Sequence, residues 1–222
     1  MRPSWVTRQI DDFVQDFARS TALIGAETTT ALLRAHMTGQ DRYDGRIETS
    51  PDLSSSEGFV WRPAAADRLP QLWLDPGKTG YRAAFERFAI RELGAPGLDG
   101  ADVHIDHVFP KRAAAMGGLG YVRMLAVPPE SNMAAGRTLE KAMVGRNAQF
   151  GRRAKDTRLA TYFSIGKATG FDGYAALPDG EPGGNWDLAV ALFAHLRAFG
   201  VPAEVLNAWD VMLTADRATD YR

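Results

Sequence analysis

The chain contains no cysteine. That absence removes disulfide frameworks, thiolate zinc knuckles and cysteine nucleophiles together, and leaves only nitrogen and oxygen donors for any metal. Histidine is scarce, with four residues in 222, so each can be weighed singly. Long apolar runs are missing as well. The opening "MRPSWVTRQIDDFVQDF" carries acidic residues through its apolar positions, unlike a signal peptide or a membrane span. The expectations that follow are no membrane and synthesis in the cytoplasm; delivery by a dedicated export system would leave no such mark. Nor is there an excess of one charge: the net charge of -1 excludes a surface coated in positive potential.

What is present has the proportions of a globular protein. Hydrophobic residues make up 45% and charged ones 24%, which excludes disordered and fibrous classes. At this length the chain can bury a sizeable core, as one compact domain with appendages or as two small ones. The charges are unevenly spread. Between His107 and Arg158 ten basic side chains stand against three acidic ones, so this stretch is strongly positive while the remainder is negative. A cluster of that kind can hold a polyanion on a nearly neutral molecule, although a solvated helix face produces the same count.

Apolar spacing gives the outline. Val6, Ile10, Phe13, Val14 and Phe17 predict a helix over residues 4–20 with Ser4 as its cap, and a second helix is expected over 25–37, ended by Gly39. His36 on that helix reads as a packed or surface residue. Residues 1–40 form a helical N-terminal region suited to an adaptor or partner-binding role, 41–58 a polar loop or linker, and 59–222 an α+β domain. "GFVWRP" and "LPQLWL" read as short strands. "DPGKTGY" lacks the first glycine of a phosphate loop, with Leu72 in its place, and reads as a turn before the helix "YRAAFERFAIREL", whose Phe85, Phe88, Ala89 and Leu93 form a stripe. "TYFSIGKATGFDGYAALPDGEPGGN" is glycine-rich and expected to be loop. The last two helices are "NWDLAVALFAHLRAFG", capped by Asn185 and stopped by Gly200, and "PAEVLNAWDVMLTADRA", with Val205, Leu206, Trp209 and Leu213 inward. His195 falls among buried-type neighbours.

The chemistry concentrates in residues 101–150. "ADVHIDHVFP" alternates Val103, Ile105 and Phe109 with Asp102, His104 and Asp106, as a half-buried strand does, and Pro110 ends it. "KRAAAMGGLG" turns back, "YVRMLAV" is a second strand, and "PPESNMAAGRTLEKAMVGRNAQF" opens a helix with proline in its first turn. Adjacent strand residues point to opposite faces, so Asp106 and His107 do not grip one ion together but can flank one phosphate.

The order strand, loop, strand, helix, with "IDHVFP", the pair "GG" and "SN…AG…EK", resembles the HNH or ββα-metal nuclease family over about forty positions, and "YVRMLAVPPESN…AGRTLEK" is similar to HNH-type domains of bacterial antagonism toxins. The resemblance implies a small ββα core at 101–150 embedded among flanking helices. It implies a metal-dependent endonuclease acting on DNA in preference to RNA. His107 would be the general base; Asp106 and Asn132 would hold a divalent ion, Mg²⁺ or Mn²⁺ first and Zn²⁺ or Ni²⁺ after them, with His104 as a further ligand. Arg112, Arg137 and Lys141 would contact phosphates, and an immunity, adaptor or delivery protein would be the partner. Imidazole suits the base role near neutral pH, and a carboxylate with a carboxamide suits a hard cation.

Two departures are visible. Tyr121, Val122 or Arg123 stands where family members orient the base with asparagine or histidine, and Gly136 stands at the spacing of a second imidazole. Glu140 does not replace that imidazole as a ligand beside Asn132, because eight helical residues carry it about 12 Å along the axis. Two readings compete with the nuclease: a non-catalytic nucleic-acid- or protein-binding module of the same shape, and a hydrolase of other phosphate esters.

Overall fold

The computed structural model describes residues 2–18, 24–37, 44–151, 154–179 and 186–218. The fold is α+β, with one antiparallel sheet wrapped by helices. Helix α1 (Ser4–Ala18) turns its apolar stripe inward, and Val6, Ile10, Phe13, Val14 and Phe17 are all buried. Strand β1 (Gly25–Ala26) takes the first residues of the second expected helix, which begins later as α2 (Thr29–Met37); there the Thr28 hydroxyl accepts the Ala31 N–H at 3.0 Å. Gly39 and Asn185 lie outside the described residues, as do the side chains of His36 and Leu213.

Within the expected linker, Gly45–Glu48 forms strand β2 and pairs with β3 (Gly58–Pro63), which pairs in turn with β4 (Gln71–Leu74). Polar composition hid β2 because its residues lie at a sheet edge, with no face fully buried. Helix α3 (Tyr81–Phe88) continues into a π-helical turn (Ala89–Leu93) and stops at Gly94, whose φ of 70° suits glycine. Strand β5 (His104–His107) follows. The loop expected next is instead a short helix, α4 (Lys111–Met116), closed by Gly117 and Gly118.

Strand β6 (Tyr121–Val127) is the organising element. It pairs antiparallel with β1, β4 and β5, and Val122 through Val127 are all buried. From it the chain passes directly into α5 (Pro129–Ala135), a π-helical turn (Gly136–Glu140) and α6 (Lys141–Phe150). Next comes α7 (Ala154–Thr169), a helix where glycine-rich loop was expected. A 3₁₀ turn (Asp172–Ala176), α8 (Trp186–Phe199) and α9 (Ala203–Ala218) complete the chain.

The N-terminal helix shares this core. The amide of Ala126 on β6 donates to the Gln9 side chain at 3.0 Å, and Arg123 donates to Asp16 at 2.5 Å while its guanidinium lies 4.9 Å from the Phe13 ring. Arg68 joins the same buried network through Asp12 and Asp16. Burial and the repulsion of Asp16 push the Asp12 carboxyl up to about 6, against the pull of the two arginines.

Candidate active site

The alternation read from the sequence of β5 holds: His104 and Asp106 are half-buried on one face, Ile105 and His107 buried on the other. Pairing of Asp106 with Leu125 and of His107 with Met124 fixes that register, since a slip of one residue would exchange the faces. The end of β5 opens on a cavity of about 320 Å³. Asp106, His107 and Pro110 line it from the strand, Lys111 and Arg112 from the start of α4, Tyr81 from α3, and Gly136, Glu140 and Lys141 from the long helical run.

His107 is 4% exposed, and its Nε2 has no hydrogen-bond partner among the described residues. The Tyr81 ring meets the imidazole edge-on at 4.8 Å between centroids, while the Lys111 ammonium lies 5.5 Å from the centre of the Tyr81 ring. Burial pushes the imidazole down to about 4, only partly opposed by the Asp106 charge. It is therefore neutral at physiological pH. A buried polar nitrogen without a protein partner calls for an explanation, and its residue borders a cavity.

Asp106 belongs to a second cluster. Lys167 on α7 is 1% exposed and donates to the Asp106 carboxylate at 2.5 Å and to Glu140 Oε1. Burial opposes the ammonium, yet the two carboxylates outweigh it and hold the lysine above its usual range. Burial likewise pushes the Glu140 carboxyl up, with Lys167 pulling the other way. Helix α7 is latched beside β5 and α5 by two hydroxyls: Ser164 donates to the Val108 carbonyl, and Ser131 donates to the Lys167 carbonyl at 2.7 Å. Gly166 leaves room for the 3₁₀ turn, since a Cβ there would stand 2.1 Å from the Tyr174 hydroxyl. That close approach explains the glycine that made this stretch look like loop.

The residues named from the sequence separate into groups. Asp106, His107, Arg112 and Lys141 share the cavity. Asn132 and His104 meet each other instead, with Nδ2 and Nδ1 3.3 Å apart. Arg137 turns away to Asp179 at 2.6 Å and to the carbonyls of Leu177 and Ala175. Glu140, set aside for its distance from Asn132, reaches Asp106 by way of Lys167.

The ligand set implied for a divalent ion therefore does not fit as arranged. One Asp106 oxygen is engaged by an ammonium, and Asn132 and His104, paired through Nδ2 and Nδ1, do not line the cavity with it. Among the described residues no three His, Asp or Glu side chains are placed to hold an ion. Sequence reasoning missed Lys167 and Tyr81. A lysine framed by Tyr162, Phe163, Ile165 and Ala168 was the available signal for the first, and nothing marked the second.

Compared with protein-family models, with curated proteins and with solved structures, the chain has no match. Among the described residues, no helix is long and apolar enough to cross a membrane.

Proposed function

We propose that the cavity beside His107 is the active site of an endonuclease that hydrolyses nucleic-acid phosphodiesters, DNA in preference to RNA. One observation carries the reading: a neutral, buried imidazole with an uncommitted Nε2 lines a cavity whose wall also bears the cations Lys111, Arg112 and Lys141. The strand order and the "IDHVFP" and "SN…AG…EK" residues that resemble HNH nucleases support it.

In this reading Nε2 takes a proton from water as the water oxygen bonds to phosphorus. The phosphorus–oxygen bond to the leaving sugar then breaks, and the departing oxygen takes a proton from water in the cavity. Burial favours the starting state of the base, the unprotonated imidazole. Lys111, Arg112 and Lys141 meet the phosphate charge without reading bases, so cleavage is largely independent of sequence. The similarity to antagonism toxins extends the proposal to an antibacterial effector held by an immunity or delivery partner.

The test is nicking of supercoiled plasmid and cleavage of a labelled oligonucleotide, with His107→Ala as the control. General-base loss is expected to lower the rate about 10²- to 10⁴-fold, with binding retained. The engagement of Asp106 by Lys167 favours a second reading, a nucleic-acid-binding module without catalysis. Retardation of DNA by the unaltered chain with no cutting under any condition would select that reading.

A further inference from the structure

We propose that the Lys167 ammonium is the resident cation of this site, standing against Asp106 where the HNH resemblance would put a divalent ion, and that no divalent ion binds there. The inference rests on the cavity being the hydrolytic site proposed above, but its central claim concerns charge and can be tested separately.

Lys167 reaches the cluster from α7, an element outside the forty positions that carry the resemblance. Its Nζ contacts both Asp106 and Glu140, the two carboxyl groups that line the cavity, while the lysine itself lies behind them and does not line it. A buried ammonium is stable only when paired and hydrogen-bonded, and these two partners provide that. The relation runs both ways. With the ammonium in place the carboxylates no longer present the uncompensated negative charge that draws a hard cation, and an ion at Asp106 would stand close to a fixed positive charge. The other implied ligands stand apart from Asp106's cavity, since Asn132 and His104 are paired through Nδ2 and Nδ1 and neither lines it.

The lysine is locked as firmly as a ligand set would be. Its own carbonyl accepts the Ser131 hydroxyl, and Ser164, three residues earlier on α7, donates to the Val108 carbonyl just beyond β5. The backbone that carries the ammonium is thus fixed, and its withdrawal would leave both carboxyl groups without their cation. Lys167 is a positioning residue in this scheme: it fixes Asp106 and Glu140 at the cavity wall and sets the charge behind them, while Lys111, Arg112 and Lys141 meet the substrate.

The experiment is titration of Mn²⁺ into the unaltered chain, with free Mn²⁺ followed by electron paramagnetic resonance, beside cleavage assays with and without chelator. The expected result is no stoichiometric Mn²⁺ site at millimolar ion, and cleavage that persists in chelator. Lys167→Met is expected to lower cleavage at least tenfold and, by freeing the two carboxylates, to create one Mn²⁺ site per chain and restore cleavage when Mn²⁺ is added. A lysine that only supports the fold would give no such metal rescue. If Lys167→Met fails to fold, the titration of the unaltered chain still decides the matter. One bound Mn²⁺ per chain, lost in Asp106→Asn, overturns the cation assignment whether or not DNA is cut. No cleavage under any condition, with no Mn²⁺ site, overturns the hydrolytic reading and upholds the assignment.

Discussion

His107 is held in a state the free side chain does not prefer, and that has a measurable consequence for stability. Its imidazole is pushed down to about 4 from an ordinary value of 6.5, so between those limits the unfolded chain binds more protons than the folded one. The stabilisation is complete above pH 6.5 and is lost as pH falls towards 4, a loss of about 3 kcal/mol for a shift of this size. Asp12 is raised instead, to about 6, and works in the opposite sense over the same range, and the raised Glu140 carboxyl also works in that opposite sense. The comparison that isolates the histidine is therefore between chains: denaturant unfolding at pH 7 and pH 4.5 is expected to show a larger acid loss in the unaltered protein than in His107→Leu. An equal loss in both would mean that the ring is protonated without cost. For catalysis, the same depressed imidazole predicts an acid limb near pH 4 and not near 6.5 in the cleavage profile.

At the scale of elements, the long helical run after β6 changes phase through its π turn at Gly136–Glu140, as single π turns at functional sites often do. Gly136 has an ordinary helical φ of -60°, and a Cβ built there meets nothing within 4 Å. Gly136→Ala is therefore expected to stabilise the fold by about 0.5–1 kcal/mol, read from denaturant midpoints. Gly136→Phe is expected to fold equally well, fill the cavity and abolish cleavage. Activity surviving Gly136→Phe would place the reaction elsewhere. The fold was most legible where one apolar face meets the core: α1, α3 and β5 follow their periodicities, and with β5 came Asp106 and His107, while β6, buried along nearly its whole length, was legible from its branched and aromatic residues. It was least legible for α7, where residues 160–169 are buried on nearly every side, so no polar stripe marks the helix, and where Gly166 serves packing against Tyr174 and not a turn. Lys167 was hidden with its helix. Likewise Glu140 was excluded by its height above Asn132, a sound distance applied to the wrong partner, because a residue on α7 that one-dimensional spacing does not place bridges it to Asp106.

For the whole molecule, the basic residues between His107 and Arg158 whose side chains are described do not form one patch. Arg123 is buried against Asp16 and Arg137 is paired with Asp179, while Lys111, Arg112 and Lys141 gather at the cavity. Combined Arg112→Ala and Lys141→Ala changes are therefore expected to reduce the slope of log affinity for duplex DNA against log salt by about 1.8, near 0.9 per phosphate contact, whereas an unchanged slope would remove both from the interface. The ion network beneath β6 is a matter of stability. Asp16→Ala leaves Asp12 to balance both Arg68 and Arg123 in the interior, and a loss of about 3–5 kcal/mol is expected in urea unfolding; a loss below about 1 kcal/mol, the range of exposed pairs, would mean that water reaches the cluster. Strand β6 bonds or pairs with Gln9, Asp16, Gly25, Trp73 and Asp106, all nearer the start of the chain, and packs against α7, which comes after it. During synthesis those partners leave the ribosome before the strand that joins them, and Gly136, Glu140, Lys141 and Lys167 follow later still, so the cavity at its edge takes shape only once the helices beyond β6 have arrived.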